Sequence, residues 1–133
     1  MNDGPEFLSV AQVLAIHALQ IKRYGGAAGV RDRALLESAV AAPQATFDGE
    51  FLHSGLFDMA AAYAFHISQN QPFIDGNKRT GLLVALVFLD LNGISISATS
   101  PGLYDMMIAL AEGRATKDDL AAFLRELAKR NAE

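Results

Sequence analysis

The sequence predicts an all-α fold: a compact bundle of about six helices with one small β-hairpin. Hydrophobic residues recur at helical spacing in nearly every segment, and most of those segments end at a glycine or proline signal. The exception is an Asp-Gly pair flanked by aromatic residues, the signature of a tight hairpin turn. A length of 133 residues suits a single domain spanning residues 1–133. Half the residues are hydrophobic and a fifth are charged, which permits a packed core and argues against disorder.

The elements follow in order. Ser9 and Gln12 form a capping box, with Leu8 and Val13 as its hydrophobic staple. Val10, Val13, Leu14, Ala18 and Ile21 then keep helical spacing until Tyr24-Gly25-Gly26 stops the run. A second helix is expected over Arg31 to Ala42, ending before Pro43, with Leu35, Leu36, Ala39 and Val40 on one face. Thr46 to Phe51 reads as the hairpin. Helix three is expected from about Leu56 to Gln69, and helix four from about Asn77 to Asn92 with Gly93 as its stop. The run Leu82 to Leu89 is apolar all round and marks helix four as the central helix. Ser100-Pro101 reads as the start of helix five, ending near Gly113. Thr116 caps helix six, whose stripe is Leu120, Phe123, Leu124 and Leu127.

Composition excludes several function classes. Without cysteine there is no disulfide scaffold, thiolate metal site or cysteine nucleophile. With 11 basic against 15 acidic residues, a net charge of −4 gives no footprint for direct nucleic-acid binding. The apolar run Leu82 to Leu89 is far shorter than the roughly 20 residues a membrane span needs. The start, Met1-Asn-Asp-Gly-Pro-Glu, has no basic region followed by an apolar stretch, so no secretory signal is expected. A cytoplasmic protein is the resulting expectation.

One loop carries chemistry: Gln71-Pro72-Phe73-Ile74-Asp75-Gly76-Asn77-Lys78-Arg79-Thr80. It joins two apolar helices, yet holds a carboxylate, a glycine, an amide and two adjacent cations. Gly76 can turn the backbone so that successive N–H groups converge at the start of helix four. Unpaired N–H groups and the macrodipole make that end an anion site. Lys78 and Arg79 are unfavourable there for the helix itself, which points to an anionic guest, phosphate before others. Asp75 is the hard oxygen ligand that Mg²⁺ takes beside phosphate. The competing reading is a polar loop with Asp75 as a plain N-cap and solvated cations.

Pro72 to Thr80 resembles the active-site motif of the Fic family, histidine-x-Phe-x-Asp/Glu-Gly-Asn-x-Arg. Leu8-Ser9-Val10, Gly29-Val30-Arg31-Asp32, Leu35-Leu36-Glu37-Ser38-Ala39 and Pro43-Gln44-Ala45-Thr46 look like its short Doc (death-on-curing) branch, covering roughly residues 7 to 128. That branch comprises toxins of toxin–antitoxin pairs. The resemblance implies a phosphotransferase that uses ATP and Mg²⁺ to modify a threonine of elongation factor Tu and stop translation. It also implies a cognate Phd-like antitoxin, whose disordered tail folds as a helix on the toxin. By the same likeness, Phe73, Gly76, Asn77, Lys78 and Arg79 bind the nucleotide, Asp75 holds the metal, and Asp75, Lys78 and Arg79 join the residue at position 71 in catalysis. A flap near the active site aligns the target by strand addition, a role the Thr46–Phe51 hairpin fits beside that of an ordinary turn.

The motif departs from the family in two places. Adenylylating members usually carry a second arginine three residues after the first and a glycine before it; here those positions are Leu82 and Lys78, so AMP transfer is the second reading. The motif histidine is replaced by Gln71. An amide positions a hydroxyl but cannot take its proton, and losing a general base costs about 10²–10⁴ in rate. Three accounts stand open: an engineered histidine-to-glutamine change, which is preferred; a naturally degenerate, binding-only partner of an antitoxin; and a substitute base. His66 is the nearby candidate for the last, although its apolar surroundings favour a structural histidine. His17 and His53 offer no metal-ligand spacing with it, and no zinc site is assigned. Arg31, Asp32, Arg33 and Glu37 read as a solvated helix face.

Self-inhibited Fic proteins carry a helix with Ser/Thr-x-x-x-Glu-Gly/Asn. Glu112-Gly113 comes closest, but Ile108 stands four residues before the glutamate; Thr46 precedes Glu50, but Phe51 follows and the turn intervenes. Restraint is therefore expected from a partner.

Overall fold

The computed structural model describes residues 4–132. Met1 to Asp3, on which part of the signal-peptide reading rests, lie outside the described residues, as does Glu133. Among the described residues the order is α1 (Val10–Tyr24), α2 (Arg33–Ala41), a 3₁₀ turn (Ala42–Gln44), β1 (Thr46–Phe47), β2 (Glu50–Phe51), α3 (Leu56–Asn70), α4 (Asn77–Leu91), α5 (Leu103–Ala111) and α6 (Lys117–Ala132). The fold is all-α with a small flap. No helix among these residues is long and apolar enough to cross a membrane.

Local chemistry accounts for the boundaries. The capping box forms as expected, with Gln12 N–H donating to Ser9 Oγ and Ser9 N–H to Gln12 Oε1. α2 starts two residues later than expected, because Asp32 is its N-cap and accepts from Leu35 N–H at 3.0 Å. α2 ends before Pro43 as expected, at Ala41, and Pro43 sits inside the following 3₁₀ turn, where its missing N–H costs nothing. α5 also starts late, at Leu103, since Pro101 lies in the preceding turn and Gly102 takes the N-cap position. At α6, Thr116 and Asp119 cap each other, at 2.8 and 3.1 Å. The hairpin pairs Thr46 with Phe51 and Phe47 with Glu50 about Asp48-Gly49. Phe47 is largely exposed, while Phe51 leans on Phe7.

The core corrects one expectation. α4 does bury most of Leu82 to Leu89, but Leu83 and Val87 are only half-buried. The hub is α3, which packs on α2, α4, α5 and α6, most extensively on α4. Ala60, Ala61, Ala62 and Ala64 are fully buried there. Small side chains let neighbouring backbones approach, so α3 sits innermost without the long apolar run of α4. In α1 the expected stripe also shifts: Ala18 is exposed, whereas His17 and Gln20 are buried.

Candidate active site

The turn from α3 into α4 is held from three sides. Gln71 closes α3 in the left-handed conformation, at φ 47° and ψ 56°, with its N–H donating to Ile67 O. Arg31 Nε donates to Gln71 O at 2.7 Å, and Nη2 donates to Asn70 O at 2.8 Å. Pro72 O accepts from the N–H groups of Arg31 and Asp32, and Gly29 O accepts from Ile74 N–H. Arg31 and Asp32 are thus a clamp and a helix cap, not a solvated face. Of that group, only Arg33 and Glu37 form an exposed pair.

Beneath the loop, the His17 ring stacks on Phe73 with centroids 3.7 Å apart, and Nε2–H donates to Asp75 O at 2.8 Å. A carbonyl only accepts, so Nε2 carries the proton. Phe73 is 1% exposed, and Asn77 bonds both its backbone groups at 3.0 Å, accepting from the N–H and donating to the carbonyl. Phe73, expected at the nucleotide, is not among the residues that line the cleft described below. The ring is buried against His17 and anchors the loop. Asn77 lines the cleft above, yet its amide is engaged by the loop itself.

Asp75 is not the N-cap. Its Oδ1 accepts from Gly76 N–H and its Oδ2 from Ala27 N–H, while Gly76, at φ 77°, takes the cap position. The loop bearing Ala27 passes close enough that a Cβ at Gly26 would stand 2.7 Å from Asp75 Oδ2. A carboxylate offers roughly four acceptor sites, so capacity remains for a cation. Among the described residues there is no group of three or more histidine and acidic side chains placed to hold a metal. Mg²⁺ beside phosphate needs only one or two carboxylates, and Asp75 fits that pattern.

The helical ladder of α4 begins with Thr80 N–H to Gly76 O, leaving the N–H groups of Asn77, Lys78 and Arg79 without partners among the described residues. Neither Lys78 nor Arg79 makes an ion pair among the described residues. Both line a cleft of about 450 Å³ with Gln71, Asp75, Gly76 and Asn77. The structure therefore brings every expected site residue except the Phe73 ring to one opening. Ser68 and Gln20 also line it; Ser68 is buried and its hydroxyl lacks a partner among the described residues.

The pattern of the Fic/DOC family matches residues 7–89. The chain belongs to this family. It is 38% identical to "Toxin Doc" of Mycolicibacterium smegmatis over 124 residues, covering 92% of each chain. It is 34% identical to "Protein kinase doc" of Escherichia phage P1 over 120 residues, covering 90% of this chain and 94% of the phage protein.

In this Fic/DOC domain the other histidines are placed away from this cleft. His66 and His53 line a separate cavity with Leu52, Asp58 and Lys117. Burial first, and Lys117 second, lower the pKa of both below the usual histidine value. His66 is absent from the lining of the cleft that holds Gln71. Glu112 pairs with Arg114 rather than with Arg79. Sequence reasoning missed His17, Gln20 and Ser68. Their one signal is polarity on helix faces that are otherwise apolar.

Proposed function

We propose that this protein is a Doc-like toxin: a protein phosphotransferase whose present activity is impaired by Gln71. The observation that carries the reading is the pair Lys78 and Arg79, unneutralised at the open N-terminus of α4 and facing the cleft with Asp75 and Gln71. Cations unfavourable to their own helix, with no acidic partner, suit the phosphates of ATP. Asp75 would hold Mg²⁺, which supplies neutralisation of phosphoryl oxygens when bound.

The reaction joins a target hydroxyl oxygen to the γ-phosphorus and breaks its bond to the bridging oxygen, releasing ADP. Catalysis in such transfer is mostly positioning and charge stabilisation, the roles assigned to Arg79, Lys78 and the free N–H groups. The hydroxyl proton would pass to a histidine at position 71; the Gln71 amide can accept a hydrogen bond from the hydroxyl but cannot take its proton. The target proposed is a threonine of elongation factor Tu, in the cytoplasm, aligned along the exposed hairpin.

Transfer of AMP is disfavoured by Leu82, which is buried where adenylylating relatives usually carry an arginine. Inhibition is assigned to an antitoxin of the Phd type acting in trans, since no acidic side chain among the described residues pairs with Arg79. Calorimetric titration with Mg-ATP tests the site: the Lys78→Ala, Arg79→Ala variant loses most of the affinity. Equal affinity in the two proteins overturns it.

A further inference from the structure

Arg79 is held by aromatic rings. Its Cζ lies over the Tyr24 ring at 4.2 Å and over the Tyr104 ring at 4.9 Å. The three residues come from different elements: the last residue of α1, the start of α4 and the start of α5. Arg23 also faces Tyr24, but at 5.8 Å. No carboxylate pairs with Arg79 among the described residues.

A carboxylate would also fix this guanidinium, but it would cancel the charge and occupy the N–H donors. Ring faces attract the cation through their quadrupole while leaving both charge and donors available. The three residues also line a second cavity of about 270 Å³, so Arg79 forms part of the wall between the two openings.

We propose that Tyr24 and Tyr104 are positioning residues that hold Arg79 for an anionic phosphoryl group in the cleft. The inference rests on the phosphate-site reading above and adds what places its arginine. Rings without hydroxyls suffice for this role, because the attraction comes from the π face.

Titration of the full chain with Mg-ATP decides it. Tyr24→Leu and Tyr104→Leu each weaken binding about two- to fivefold, and the double variant about tenfold. Tyr24→Phe and Tyr104→Phe recover the lost affinity. In an Arg79→Ala background the leucine changes have no further effect, which a general loosening of the fold would not produce. Thermal melts accompany each titration, and both tyrosines are partly exposed. Leucine variants that bind as the parent does, while Arg79→Ala weakens binding, overturn this inference alone. Leucine effects that persist without Arg79 also overturn it. Indifference of binding to Arg79→Ala overturns the phosphate site and this inference together.

Discussion

Arg31 reaches across 40 residues of sequence to hold the carbonyl of Gln71, with Nε and the carbonyl oxygen 2.7 Å apart. Its second arm holds Asn70 O, so the guanidinium caps the exposed carbonyls at the end of α3. Gln71 has positive φ without being glycine, a conformation that persists only where the surroundings enforce it. The position of the motif's missing histidine is therefore set by a residue outside the motif.

Arg31→Ala in a Gln71→His background should lower kcat by about tenfold to a hundredfold while leaving KM for Mg-ATP nearly unchanged. Arg31→Lys should restore only part, because an ammonium cannot reproduce the two-armed contact. Steady-state kinetics at several ATP concentrations check this. A rise in KM with unchanged kcat would assign Arg31 to ground-state binding instead.

Gly26→Ala should disturb the proposed Mg²⁺ site at Asp75 and strain the loop that passes over it. The new Cβ would meet Asp75 Oδ2 at 2.7 Å, at a backbone φ of 114° that side chains rarely adopt. The Mg²⁺-dependent part of ATP affinity should fall, and metal-free binding should hardly change. Titrations with and without Mg²⁺ separate the two; equal losses in both would mean that the loop as a whole has collapsed.

Tyr63→Phe should destabilise the protein by about 1–3 kcal/mol. Tyr63 is fully buried, and its hydroxyl accepts the N–H of buried Leu8 at 3.0 Å. Burial also pushes its own pKa up to about 12. Phenylalanine keeps the packing against Phe88 but strands that N–H. Urea unfolding should give a lower midpoint at unchanged slope; an unchanged midpoint would show that the bond contributes little.

Acid should weaken the fold through His53 and His66. Both have folded-state values lowered from 6.5 by burial and by Lys117. Below about pH 6.5 the unfolded chain binds protons that the folded chain resists, so stability present above that pH is lost as pH falls through the folded values. Thermal melts between pH 7.5 and pH 5 should show a steeper fall for the parent than for His53→Gln, His66→Gln. Parallel curves would mean that neither histidine is shifted.

Most of the fold was legible because helices and the hairpin declare themselves locally. The capping box at Ser9, the turn at Asp48-Gly49 and the stripe of α6 depend on residues a few positions apart. Misreadings came where distant contacts decide. Ala18 has the right spacing for the core, but the loop at Asp75 recruits His17 to the buried face instead. Arg31 reads as a surface charge until α3 ends beside it. The motif loop was legible as a candidate site, because cations at a helix N-terminus conflict with their own helix. Tyr24 and Tyr104 were not, since only the packing of α1 and α5 brings them to Arg79.

The central claim is a phosphoryl-transfer site disabled at position 71, and intact-mass analysis of elongation factor Tu after incubation with Mg-ATP tests it most directly. The Gln71→His protein should add the mass of one phosphate, and the chain with Gln71 should add little in the same time. A gain of one AMP, or no gain with the histidine in place while Mg-ATP still binds, would contradict the account.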